Sequence, residues 1–192
     1  MIFISIAHSS KACGAVNTEL DVVEYKVSCI ASESCFNMMK GNGIQCAMID
    51  IGYVGDSEYS EKKTKIINEI MPDLALEIHC NSSPDKNAHY GECLYHFDCR
   101  ASKKAADYVM NTIGDGIAKS LNPLIYENRG SQPNSPDYPL FFLDKTKCPA
   151  IIVEGFFISN NEHAQWLKNG GAEAYGTLVG EGLVKWFNER HN

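Results

Sequence analysis

Three short apolar runs in this 192-residue chain lead into residues that can do chemistry: His8 after residues 1–7, His79 after 74–78, and Glu154 after 149–153. Imidazole is the commonest metal ligand, and its ordinary pKa suits proton transfer near neutrality. A carboxylate beside it can either ligate a metal or move a proton. An isolated histidine at a strand end is more often a hydrogen-bonded structural residue. Open α/β sheets, however, bind ligands at the carboxyl ends of their strands. If these runs are neighbouring parallel strands, two imidazoles and a carboxylate converge, and the balance shifts toward a site.

A fourth group lies on the first helical stretch, whose apolar stripe runs Leu20, Val23, Val27, Ile30, Ala31, Met38. Glu19 and Glu24 both flank that stripe, about 60–80° from its centre at about 100° per residue. Each can reach solvent from the edge of the buried face. Alternatively one of them faces the sheet rim, where a metal would neutralise an otherwise costly buried carboxylate. Periodicity does not choose between the two. Cys80 adjoins His79, but neighbours in a strand point to opposite faces, so the pair cannot act as a dyad. His89, His96, His163 and His191 have no sequence partners and read as surface or turn histidines.

The elements that must position these groups alternate along the chain. Residues 2–7, 45–51, 74–79, 91–97 and 149–154 have strand length and apolar content, and helical stretches lie near 18–40, 58–71, 101–120, 161–169 and 171–189. Asn17 or Thr18 is the expected cap of the first helix. Long helical connections between buried strands predict a single-domain α/β fold, a largely parallel twisted sheet with helices on both faces. The Pro/Asn/Ser-rich segment 122–139 reads as a surface loop. Residues 1–192 are expected to form one domain with no appended module.

Composition narrows the function classes. The chain is 44% hydrophobic and 21% charged, which excludes disorder, and its net charge of −7 argues against a nucleic-acid partner. No run approaches the roughly 18 apolar residues of an integral membrane segment. Residues 1–7 lack the basic n-region of a signal peptide, so synthesis in the cytoplasm is expected. The eight cysteines form no CxxC pair and are expected to be reduced thiols packed as small apolar groups.

These residues resemble the zinc-dependent N-acetylmuramoyl-L-alanine amidases of the amidase type 3 family. The family's Gly-His motif corresponds to Ala7-His8-Ser9-Ser10, and its Gly-Ala followed by a glutamate to Gly14-Ala15 and Glu24, whose spacing to Ile30-Ala31 fits where that of Glu19 does not. The motif Ala-Asp-Leu-Phe-Ile-Ser-Ile-His-Ala-Asn resembles Pro72-Asp73-Leu74-Ala75-Leu76-Glu77-Ile78-His79-Cys80-Asn81. Gly-x-Glu-x-Tyr matches Gly91-Glu92-Cys93-Leu94-Tyr95, and Arg129-Gly130, Leu143 and the run from Pro149 through Glu154 to Ser159-Asn160 complete the order over roughly residues 2–186. The chain departs from the pattern at Ala7, at Ser9-Ser10, and at Lys63, where the family has arginine; none of these removes a ligand.

The resemblance implies zinc ligands His8, Glu24 and His79, with Glu154 as the catalytic glutamate and Asn81, Ser82 and Asn160 near the substrate. It implies Zn2+ as cofactor and peptidoglycan as partner, the bond cut being the amide between N-acetylmuramic acid and L-alanine. A zinc peptidase acting within the stem peptide and a non-catalytic peptidoglycan-binding relative are the competing readings. A wall enzyme made without an export signal resembles a phage or prophage endolysin, which reaches the wall after release by a holin.

Overall fold

The computed structural model describes residues 1–52, 55–117 and 126–191. Its chain order is β1 (Ile2–Ser5), β2 (Val16–Asn17), β3 (Val22–Val23), α1 (Glu24–Gly41), β4 (Cys46–Ile49), α2 (Asp56–Ile70), β5 (Leu74–Asn81), β6 (Tyr90–His96), α3 (Arg100–Ile117), β7 (Glu127–Asn134), α4 (Phe141–Lys145), β8 (Ala150–Phe157), α5 (Asn161–Trp166) and α6 (Ala172–His191). Six strands form one sheet in the order β4-β1-β5-β8-β6-β7. The first four run parallel, β8 and β6 pair antiparallel, and β7 is parallel to β6. The reversal follows from the short connection 82–89, because a parallel return needs a crossover of a dozen or more residues.

The expected α/β sheet with helices on both faces is therefore present. β5 and β8 read as continuous apolar runs because both of their faces are covered. On one face Ile4, Leu76, Ile78 and Val153 pack under α1, α6 and α3, with Tyr175 and Trp186 of α6 fully buried among them. On the other, Phe3, Ala75 and Ile152 meet Ile67 of α2 and Phe142 and Leu143 of α4. Each such large apolar side chain contributes about 1.5–3 kcal/mol on burial. α6 can press against α1 because it carries glycine at 176, where a Cβ would stand only 2.0 Å from the Ala31 carbonyl oxygen.

Four local expectations need correction. The first helix starts at Glu24, not near 18, because residues 16–23 form a small antiparallel hairpin. Asn17 caps nothing: its Nδ2 donates to Ile158 O (3.0 Å) and Asn161 Oδ1 (2.8 Å), while its Oδ1 accepts from Leu20 N. Such a local side-chain bond competes with helix formation. The segment read as loop 122–139 contains the edge strand β7, in which Pro133 is tolerated as only an edge allows. Gly130, at φ +70°, marks a shift of register against β6 between Gly91 and Cys93.

His163 is fully buried rather than on the surface, its Nδ1 accepting from Phe157 N at 3.0 Å. The other unplaced histidines are shallower: His89 donates from Nδ1 to Asn87 O at 2.7 Å, and His96 stacks on Phe97. The expectations for 118–120, for 122–125 and for the His191 side chain lie outside the described residues. Among the described residues no helix is long and apolar enough to cross a membrane.

Candidate active site

The carboxyl ends of β1, β5 and β8 lie side by side, and the N-terminus of α1 approaches them. His8 sits in the loop after β1 in the left-handed region (φ 63°), a conformation that costs a non-glycine residue roughly 1–3 kcal/mol. Glu24 is the first residue of α1 and is only 4% exposed. Its Oε2 accepts from Ala15 N (2.8 Å) and its Oε1 from Cys80 N (3.1 Å), so two backbone amides and the helix N-terminus hold a buried carboxylate in place. Glu19, the alternative left open by periodicity, instead accepts from Asn161 Nδ2 at the surface.

His79 Nδ1 lies 3.2 Å from Glu24 Oε1, and His8 Nε2 lies 2.9 Å from the same oxygen. The His8 approach is close without hydrogen-bond geometry, leaving Nε2 buried with no hydrogen-bond partner among the described residues. One ligand atom from each of the three residues falls within 4.8 Å of the other two. Gly14 (φ +72°) keeps this space open: a Cβ there would come 2.5 Å from Glu24 Oε2 and 2.7 Å from His8 Nε2. An orphaned imidazole nitrogen, a buried carboxylate and a gap that only glycine preserves fit a bound cation. Two nitrogens and one oxygen are a donor set suited to zinc with an open coordination position.

Without a cation the imidazoles offset the carboxylate charge. Burial alone would raise the Glu24 pKa, but the His79 hydrogen bond and the close approach of both imidazoles hold it well below the usual carboxylate range. Burial alone would lower that of His79, yet its bonds to Glu24 and Glu77 hold it up at about 10.

Glu154 stands beside His79 on β8, its register partner. Its Oε2 is buried with no hydrogen-bond partner among the described residues. Burial pushes its pKa up to about 7; His79 opposes the rise, while Glu24, Glu92 and Glu77 add to it. Glu92 lies directly across from Glu154 in the antiparallel β6–β8 pair. Behind the strands Tyr175 ties together β5 and β8, which carry His79 and Glu154: its hydroxyl accepts from Gly155 N (2.8 Å) and faces the carbonyls of Val153 and His79 at 3.0 and 3.1 Å.

His8, His79 and Glu154 line one cleft of about 280 Å³ together with Tyr59, Lys63 and Glu77. The other residues expected near substrate fall elsewhere. Asn81 and Ser82 line a separate polar depression of about 410 Å³, where the Arg129 guanidinium stacks on Tyr90. Asn160 is 8% exposed and committed to backbone, capping α5 through Oδ1 and donating from Nδ2 to Ala88 O. Cys80 faces the core opposite His79, as strand alternation requires, and burial pushes its thiol far up.

Sequence reasoning missed the role of Glu77 and marked its partner Lys63 only as a departure from the family pattern. Glu77 lies on the same face of β5 as His79, two residues before it, and pairs with Lys63; both are almost fully buried. A lone acidic residue in an otherwise apolar strand, at even spacing from a candidate ligand, was the available signal.

Residues 2–184 match the family model described as N-acetylmuramoyl-L-alanine amidase. The chain belongs to that family. Among curated proteins, N-acetylmuramoyl-L-alanine amidase LytC of Bacillus subtilis is 23% identical over 169 residues, covering 87% of this chain and 31% of its own length. The chain spans about a third of the length of the curated relatives it matches. The CwlD amidase of Clostridioides difficile, solved in complex with the GerS lipoprotein, shares the family fold at TM-score 0.85 and 16% identity, with 98% of each chain covered. The catalytic domain of the CD27L endolysin, which targets Clostridia difficile, superposes at TM-score 0.77 and 23% identity over 96% of each chain.

Proposed function

We propose that this protein hydrolyses the amide bond between N-acetylmuramic acid and L-alanine in peptidoglycan, using zinc held by His8, Glu24 and His79. The observation that carries the reading is the convergence of those three ligand atoms beside the unpartnered Glu154 oxygen, in a chain of the amidase family. A zinc ion there supplies Lewis acidity toward the amide carbonyl and lowers the pKa of a water to about 7. Glu154 then accepts a proton from the attacking water at Oε2 and delivers it to the departing L-alanine nitrogen. Its raised pKa suits both halves of that exchange, because a group that takes and returns a proton works best with a pKa near the operating pH. The narrow cleft over β5 and β8 is where the scissile amide would lie.

The test is mass spectrometry of soluble products after the zinc-loaded protein digests purified peptidoglycan, beside a chelator-treated control. Free stem peptides beginning at L-alanine, absent from the control, support the reading. Fragments cut inside the stem would keep the metal site and replace the substrate bond. No product from several peptidoglycan chemotypes would leave a non-catalytic wall binder. Glu154→Ala is expected to keep zinc and lose turnover; loss of zinc in that variant would place Glu154 among the ligands.

A further inference from the structure

The deepest charged group near the site is one the proposed chemistry leaves unused. Glu77 is 2% exposed, and its two oxygens have different partners. Oε1 accepts from Ser5 Oγ at 3.0 Å and from the Lys63 ammonium. Oε2 faces His79 Nε2 at 3.3 Å. Lys63 is itself 4% exposed, its ammonium 4.3 Å from the centre of the Tyr59 ring and 5.6 Å from that of Phe142. The carboxylate is therefore clamped through one oxygen, with the other left toward the imidazole.

Resting on the metal reading above, we infer that Glu77 is a positioning residue for His79: clamped by Lys63 and Ser5, it holds the ring with Nε2–H toward itself and the Nδ1 lone pair toward Glu24 and His8. Geometry carries this. An imidazole has two nitrogens, and the one that binds a metal is set by the hydrogen bond the other makes. Here Nε2 has Glu77 and Nδ1 has the cluster. The cost of the arrangement points the same way. A buried ion pair generally adds little stability over apolar residues of like volume.

The experiment measures zinc affinity of the purified full chain by competition with a chromophoric chelator, and the absorption spectrum of the cobalt-loaded protein. Removing Glu77 alone would strand the Lys63 charge and endanger folding, so both residues are changed together. Lys63→Met/Glu77→Leu removes the ring's partner; Lys63→Met/Glu77→Gln keeps an acceptor oxygen for it. The leucine double variant is expected to fold and to bind zinc about 10–100-fold more weakly than the parent, with an altered cobalt spectrum. The glutamine double variant is expected to recover most of that affinity. Parental affinity in the leucine double variant, or equal losses in both, would overturn the role assigned to Glu77 while the metal reading stood. A parent that takes up no zinc would overturn the metal reading, and this inference with it.

Discussion

Replacing Glu154 by glutamine should make the metal-free protein more stable, not less. The buried Oε2 has no hydrogen-bond partner among the described residues, and burial lifts the pKa from the ordinary 4.5 to about 7, against the pull of His79. The folded chain thus binds this proton more tightly than the unfolded chain does, so stability falls as pH rises from about 4.5 to about 7. At 1.36 kcal/mol for each pH unit, the rise corresponds to about 3 kcal/mol. Because the residue as a whole is only partly buried, solvent screening makes that an upper bound. Glu154→Gln keeps the shape and carries no charge at any pH. Urea unfolding with a chelator present should show the variant ahead by up to about 3 kcal/mol at pH 8 and level with the parent below pH of about 4. Equal stability at pH 8, or a variant weaker there, would refute the view that this carboxylate is held at an energetic cost.

Three further perturbations probe the frame around the site. Gly14→Ala, which would push a Cβ against Glu24 and His8 from a backbone at φ +72°, should abolish zinc uptake in an equilibrium dialysis measurement while the circular dichroism of the sheet persists. Tyr175→Phe should cost about 1–3 kcal/mol in chemical denaturation, because it strands the Gly155 amide in the core. Gly176→Ala should cost a similar amount, about 1–3 kcal/mol, with a lowered melting temperature, since its Cβ would meet the Ala31 backbone rather than a yielding side chain.

The strands that build the site were readable because their sequences are dominated by burial. β1, β5 and β8 are central, and central parallel strands read as near-continuous apolar runs of strand length. β7 escaped for the opposite reason: an edge strand pairs through its backbone on one side, and nothing apolar is required of Glu127–Asn134. The start of α1 was misplaced because Leu20 continues the helical stripe by chance, while the side chain of Asn17 fastens the backbone into a turn. Glu24 could be chosen over Glu19 only through the spacing of a resembling motif; periodicity put both on the flanks of the stripe. Glu77 and His163 take their partners from other elements, Lys63 of α2 and the Phe157 amide of β8, and the pattern within their own elements does not identify those partners.

The same edge strand bears on how the protein behaves at high concentration. An open sheet edge is a template for another chain's backbone, and long, flat, apolar edges are where proteins aggregate. β7 presents no large apolar side chain at all: its residues are Glu, Asn, Arg, Gly, Ser, Gln, Pro and Asn. Proline removes a donor from the outer row, and the bulge at Gly130 twists the strand away from a flat template. The residues that made this strand unreadable in the sequence are the ones that keep a second copy from adding to the sheet at that side.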